Sequence, residues 1–154
     1  MPAIATGQIS ILDFNDAPSL TSFVTTTAQK TQVFDPPSGV YTPNWTTASL
    51  SPVLQPSLFV SSTGSVDQIA NASAVRWFDS SAPATALVTG GAYTITGSTL
   101  KIAQNIMTGS IYSKTFICEI TWQDPTTLAN LVIMSEFTFS RINNGATGAA
   151  GSNA

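Results

Sequence analysis

The chain has 154 residues, of which 43% are hydrophobic and only 8% are charged. This length suits one domain, and the high apolar content excludes the charged, apolar-poor class of disordered chains. The net charge is −3 and the five basic residues are scattered, which excludes the basic stripe that nucleic-acid binding requires. Since few charges are available to keep exposed surfaces apart, we expect burial against copies of the chain or against other proteins.

The N-terminus and the cysteine content predict where the protein is made. The first residues have neither the basic region nor the long apolar core of a signal peptide, and no stretch approaches the roughly 18 apolar residues of a membrane span. The single cysteine, Cys118, cannot form a disulfide within the chain. We therefore expect cytoplasmic synthesis without a signal peptide, no membrane contact and a fold held by packing alone.

The first 50 residues carry short β patterns that are broken by turns. Residues 7–15 alternate in part and end at a turn, so we predict a short strand there. Residues 20–27 are rich in Ser and Thr, which suits either an edge strand or an extended arm, and residues 31–34 are β-prone. The prolines and glycine of residues 35–39 end that segment, and residues 40–50 look extended and irregular. We predict that residues 1–50 form an arm that docks on a neighbouring protein or protomer.

The alternation of apolar and polar residues sharpens from Leu54 onward. The predicted strands cover residues 54–60, 74–79, 93–95, 100–102, 116–122 and 131–139, with a hairpin turn at residues 124–127. In the second strand Val75 and Trp77 share the inner face, and Arg76 and Phe78 are expected outside. Short strands separated by turns at intervals of roughly 8–12 residues, with no helical period, predict an all-β sandwich over residues 51–142.

The tail, residues 143–154, repeats glycine at every third position, at Gly145, Gly148 and Gly151. This is the spacing that a collagen triple helix demands, although three triplets without proline are too few to form one alone. A flexible linker of Gly and Ala is the alternative. Because a triple-helical stem needs three chains, the first interpretation predicts a homotrimer.

The residue types argue against catalysis. The chain has no histidine, which excludes Ser-His-Asp and Cys-His mechanisms. Cys118 lies in an apolar alternation without a basic neighbour, which is typical of a core residue rather than of a nucleophile. Asp79 and Glu119 are expected outside the inner faces, as solvated strand charges rather than as a catalytic carboxylate pair. We expect no enzymatic activity and no cofactor.

A metal site is conceivable at one place only. Asp13, Asn15 and Asp16 offer oxygen ligands at close spacing, but the glycine and the distal glutamate of a calcium loop are missing. Such residues before Ala-Pro usually cap a turn. We therefore expect no bound metal.

Aromatic residues are the candidates for binding. Tyr41, Trp45 and Tyr112 are expected at the surface, where aromatic rings stack on sugars and are favoured at protein interfaces. We favour the interface and keep glycan binding as the alternative. Trp77 and Cys118 are instead expected to be neighbours in the core and to brace the sandwich.

Two runs of residues carry a resemblance to a known fold. Ala-Val-Arg-Trp-Phe-Asp at 74–79 and Phe-Ile-Cys-Glu-Ile-Thr-Trp at 116–122 resemble the C and F strands of an immunoglobulin-like domain. The resemblance implies an immunoglobulin-like β-sandwich with Trp77 in its core. Two features depart from that pattern, because residues 54–60 contain no cysteine for the usual disulfide and Phe116 stands where a tyrosine is expected.

Three further runs carry a more specific resemblance. They are Gly-Gln-Ile-Ser-Ile-Leu-Asp-Phe-Asn-Asp-Ala-Pro-Ser-Leu at 7–20, Lys-Thr-Gln-Val-Phe-Asp-Pro-Pro-Ser-Gly-Val-Tyr-Thr-Pro-Asn-Trp at 30–45 and Gln-Pro-Ser-Leu-Phe-Val at 55–60. Together they look like the start of the minor structural proteins of tailed bacteriophages and prophages. Members of that group carry an immunoglobulin-like domain, and some continue into Gly-rich or collagen-like fibre segments.

The phage resemblance implies a role and a set of partners. It implies a virion protein of the tail tip, baseplate or tail fibre that acts in assembly and host attachment. Its partners would be other tail proteins and copies of itself, with no nucleic acid and no membrane. The alternative function is a glycan-binding adhesion module that contacts the bacterial cell surface.

Overall fold

The computed structural model describes residues 17–145, and its regular secondary structure consists almost entirely of β-strands. The strands are β1 (Leu20–Thr26), β2 (Thr31–Asp35), β3 (Val40–Thr42), β4 (Val53–Val60), β5 (Ala74–Asp79), β6 (Tyr93–Thr96), β7 (Thr99–Ile102), β8 (Ser113–Gln123) and β9 (Asn130–Asn143). Two short 3-10 turns, Ser61–Thr63 and Ile69–Asn71, lie between β4 and β5. Within residues 17–145, none of the helical segments has the length and apolar character needed to cross a membrane.

The strands form two sheets that pack face to face. The four-stranded sheet has the order β1-β4-β7-β6, and the five-stranded sheet has the order β3-β2-β9-β8-β5. Neighbouring strands are antiparallel except β2 and β9, which run parallel. The prediction of an all-β sandwich is confirmed.

The core lies between the two sheets and follows the alternation of the sequence. In both β4 and β8, every second residue is buried. The alternate residues, on the other face of each strand, are more exposed. The buried apolar residues are Trp45, Leu54, Leu58, Val60, Trp77, Leu100, Ile102, Met107, Phe116, Cys118, Ile120, Trp122, Phe137 and Phe139. Because apolar burial contributes roughly 25 cal/mol per Å², this layer is the main source of stability in a chain without a disulfide.

The hairpin of β8 and β9 is the longest element, and its second strand carries Arg141 of the site described below. Its register runs without a break from Ser113 opposite Ser140 to Gln123 opposite Asn130. Asp124 closes the turn, since its carboxylate accepts hydrogen bonds from the Thr126 N–H at 2.9 Å and from the Thr127 hydroxyl at 2.8 Å. These bonds hold the pKa of Asp124 below its ordinary value. The turn predicted at residues 124–127 is present.

The predicted boundary at residue 50 does not separate two units among the described residues. Residues of the expected arm form β1, which pairs with β4, and β2, which pairs with β9, so they belong to both sheets. The boundary was predicted from local patterns, whereas these strands pair with strands that lie far along the chain. The predicted strand at 7–15 and the glycines at 148 and 151 lie outside the described residues.

Phe78 was expected outside and is buried. It points away from the core on β5, but the segment that follows β5 folds back over it. Phe78 forms a β-bridge with Ala86, and the Leu87 N–H donates to the Trp77 carbonyl at 2.7 Å. This segment also shields the free edge of β5.

Candidate functional site

Arg141 occupies an inner-facing position on β9, after the buried residues Phe137 and Phe139. Only 4% of its surface is exposed. Its guanidinium donates one hydrogen bond to the Met107 carbonyl at 2.7 Å and another to the Gly109 carbonyl at 2.6 Å. A buried cation is costly unless polar groups replace its hydration. Two carbonyls of the loop between β7 and β8 do so for the terminal nitrogens, while Nε has no hydrogen-bond partner among the described residues. Arg141 therefore ties that loop to β9.

Aromatic rings cover the remaining faces of this guanidinium. Its carbon Cζ lies 4.6 Å from the ring centre of Tyr112 and 5.1 Å from that of Phe34. The Phe34 ring in turn packs against Tyr41, with 4.6 Å between the ring centres. We call Phe34, Tyr41, Tyr112 and Arg141 the arginine cluster. It brings together two of the three aromatic residues that the sequence singled out.

The two tyrosines differ in what they offer to a partner. Tyr112 is 52% exposed, whereas Tyr41 is half-buried and its hydroxyl makes a long contact of 3.5 Å to the Met107 carbonyl. Tyr112 thus presents a ring that is held from behind by a cation and is free on its outer side. Such a group can bind by stacking and by its hydroxyl.

Trp45 does not belong to this surface, so the expectation that it is exposed is wrong. Its side chain is fully buried and meets the Phe139 ring edge to face, with 4.9 Å between the ring centres. The backbone N–H of Trp45 donates to the side-chain oxygen Oδ1 of Asn105 at 3.0 Å. The same oxygen accepts from Gln32 Nε2 at 2.6 Å. Asn105 therefore holds β2 and the segment after β3 together, and Trp45 is a core residue.

Sequence reasoning missed Arg141 and Phe34. Arg141 shares the inner-facing alternation of Phe137 and Phe139, so a charged residue in an inward position was the available signal. Phe34 precedes a turn and showed no distinctive pattern. Only the parallel pairing of β2 with β9 brings it close to Arg141.

The pair Trp77 and Cys118 lies in the core. The two residues are register partners on β5 and β8, and both are almost completely buried. Trp77 donates its indole N–H to the Ser98 carbonyl at 2.9 Å, which links β5 to the turn between β6 and β7. Burial, with a smaller effect of Glu119, raises the pKa of the Cys118 thiol to about 12. A thiol of this pKa stays protonated at neutral pH and is a poor nucleophile.

Asp79 was expected outside the inner face, and the structure places it on that face. It shares the alternation of Val75 and Trp77 and forms an ion pair with Lys114 of β8. Burial opposes its ionisation, but hydrogen bonds from Lys114 and Ser81 outweigh that effect and lower the pKa of Asp79. The carboxylate is therefore a stable anion that braces one end of the sandwich.

Glu119 lies on the opposite, outer face of the same sheet, where it forms an ion pair with Arg76. Each of these two carboxylates thus has its own cation, on different sides of the sheet. They cannot act on one substrate as an acid and base pair, which needs two carboxyl groups flanking the same bond.

Two other features bear on metal and ligand binding. Within residues 17–145 there is no cluster of three or more His, Cys, Asp or Glu side chains that could hold a metal ion, and the alternative calcium ligands Asp13, Asn15 and Asp16 lie outside that range. A cleft of about 420 Å³ lies at the end of β1 and is lined by residues 27–29, 42–43 and 49–51. It contains no ionisable side chain, so its chemistry is limited to hydrogen bonding and apolar contact.

Comparisons with models of protein families, with curated proteins and with solved structures found no match to this chain.

Proposed function

We propose that the chain is a structural protein of a bacteriophage tail, at the tail tip, baseplate or fibre, and that it acts in assembly and attachment. The observation that carries this proposal is the outer face of the five-stranded sheet. Val132, Met134 and Ile142 of β9 each expose between 54% and 60% of their surface there. Apolar groups on an exposed sheet face favour burial against another protein.

The charges on this face support the same interpretation. Arg76 and Glu119 neutralise each other within the face, which leaves Glu136 of β9 as an exposed negative charge beside Met134. Low charge in the centre of a contact surface is typical of protein interfaces. The resemblance of residues 7–20, 30–45 and 55–60 to minor tail proteins names the assembly in which such a surface would be buried.

The finer description of the fold is part of the proposal. We infer an immunoglobulin-like sandwich, because β1-β4-β7-β6 corresponds to the strand order A-B-E-D and β9-β8-β5 to G-F-C. Trp77 then lies on strand C and Cys118 on strand F. Strand B, here β4, contributes Leu54, Pro56 and Leu58 to the interior, so packing takes the place of the usual disulfide.

We propose that other tail proteins and copies of the chain are its partners in the virion. The stem that would make the protein a homotrimer falls largely on residues 146–154, outside the described range. Mass spectrometry of purified phage particles or induced prophage particles tests the location directly. Recovery of the chain in stoichiometric amount with known tail proteins supports the proposal, and its absence from intact particles overturns it.

The alternative is a glycan-binding module, and the exposed ring of Tyr112 favours it. A glycan array with the full chain and with Tyr112→Ala separates the two functions. Binding that depends on Tyr112 supports adhesion, whereas no binding by either protein leaves assembly as the function. Trp45→Ala is unsuitable as the sugar-site variant because that side chain is buried in the core.

A further inference from the structure

Within residues 17–145, β1 is an edge strand of the four-stranded sheet and pairs with β4 alone. It spans seven residues, compared with four for β6 and three for β3 at other sheet edges. The remaining edge, β5, is shielded by the bridge between Phe78 and Ala86. β1 contains no proline, glycine or charged residue. Natural sheets usually blunt such edges with charges, prolines or bulges.

The backbone of β1 presents regularly spaced hydrogen-bonding groups to the open side. Ser22 of β1 faces Leu58 of β4 in the register. The Leu58 N–H donates to Asp67 at 3.0 Å and its carbonyl accepts from the Gln68 N–H at 2.6 Å, so both groups point away from β1. Because directions alternate along an antiparallel strand, the N–H and C=O groups of Ser22 and Val24 point away from β4.

The centre of β1 carries an aromatic side chain on the same sheet. Phe23 is 45% exposed on the outer face, where it stacks on Phe59 with 5.6 Å between ring centres. On the inner face, Leu20 and Val24 pack against the core. The strand is therefore fixed in register by its own sheet, and its outward edge is preorganised.

We propose that β1 pairs with β1 of a second copy of this chain, antiparallel and centred on Phe23, which joins two four-stranded sheets into one. In this arrangement Ser22 of each copy exchanges hydrogen bonds with Val24 of the other. The two Phe23 residues then form a non-hydrogen-bonded pair, in which the Cα atoms are about 4.5 Å apart and the side chains are close. The rings of Phe23 and Phe59 from both copies form one continuous aromatic surface.

Charge favours a second copy as the occupant. Among the described strands of this sheet, Lys101 of β7 is the one charged residue, and β4 separates it from β1. Two copies therefore meet without like charges facing each other, which would otherwise oppose self-pairing. A partner selected by charge would find no complementary group on this edge.

The pairing adds to the proposed function without depending on it. A two-fold contact through β1 joins chains in pairs, and where the tail brings three chains together it joins trimers in pairs. In either case the assembled mass doubles relative to a form in which the edge is blocked. Location in a virion is tested separately by the particle measurement above.

The test combines light scattering with cross-linking on the full chain. Phe23→Lys places two like charges at the centre of the pair, and Val88→Lys, at a loop position that is 74% exposed, is the control with the same added charge. We expect the wild type and Val88→Lys to reach twice the mass of Phe23→Lys over a range of concentrations. Cooperative thermal melting of all three proteins verifies that the variants are folded, and the dimeric forms should melt at the higher temperature.

Cysteine variants test the register. Phe23→Cys should form a disulfide between copies on mild oxidation, because the Cα distance of such a pair lies within the range that disulfides accept. Val88→Cys is the control, and the native Cys118 is buried. The proposal is overturned if Phe23→Lys leaves the mass unchanged or if Phe23→Cys cross-links no better than Val88→Cys. A doubling that appears only after removal of residues 1–16 would equally overturn it, because the chain itself would then occupy the edge.

Discussion

Replacing Arg141 by methionine tests whether the buried guanidinium holds the loop between β7 and β8. The change removes two hydrogen bonds from a charged donor, each worth about 1.5–3 kcal/mol, and two cation–π contacts worth about 0.5–2 kcal/mol each. It also removes the desolvation cost of a buried cation, which is several kcal/mol. The carbonyls of Met107 and Gly109 lose their donors, so we expect a net loss of about 2–3 kcal/mol in the free energy of unfolding.

The assay for Arg141→Met is thermal and denaturant unfolding followed by tryptophan fluorescence. For a chain of this length a loss of that size lowers Tm by about 4–12 °C. Arg76→Met is the matched control, since its ion pair with Glu119 is largely exposed at the arginine and should contribute less than about 1 kcal/mol. Hydrogen exchange should accelerate in residues 103–112 of Arg141→Met alone. Equal stability of the two variants, with unchanged exchange, would refute the role assigned to Arg141.

Four further substitutions test other parts of the structure. Trp45→Ala should lower the free energy of unfolding by about 3–5 kcal/mol, because it empties a core position. Tyr112→Ala should lower it by less than about 1 kcal/mol. Similar losses of stability in the two variants would mean that the burial of these residues is misassigned. Cys118→Ser should lower the free energy of unfolding by about 1–3 kcal/mol without changing the oligomeric state. The native thiol should react with a thiol reagent only when the protein unfolds. Rapid reaction of the folded protein would contradict the raised pKa of Cys118. The folded pKa of Asp79 lies below its ordinary value of 3.8, so its stabilising contribution is complete above that pH and is lost as the pH falls further. Asp79→Asn should therefore lower Tm at pH 7 and make the decrease of Tm below pH 3.8 less steep. An equally steep decrease of Tm in the variant and the wild type would argue against the ion pair with Lys114.

The predictions succeeded where the signal lies in neighbouring residues. Alternation from Leu54 onward predicted the inner faces of β4 and β8, and Pro125 with its flanking polar residues predicted the hairpin turn. These features depend on the two-residue period of a strand and on local turn chemistry. They are therefore encoded within short windows of sequence.

The predictions failed where a residue's environment depends on distant partners. The boundary at residue 50 failed because β1 pairs with β4, which places Leu20 opposite Val60. Trp45 was misplaced because its segment has no regular pattern, and its burial results from Asn105 and Phe139. Asp79 was misplaced because Lys114 on another strand compensates the cost of an inward charge.

The sequence by itself determined that this protein is a β-sandwich without histidine chemistry and without an internal disulfide. Composition excludes these chemistries directly, and strand periodicity is a local property of the chain. Only the tertiary structure decided which residues meet, since it assembled Arg141 with Phe34 and Tyr112 and placed β1 at the edge of the four-stranded sheet. Those outcomes depend on pairing between segments far apart in sequence, and the free energy of such contacts is set by the whole packed arrangement.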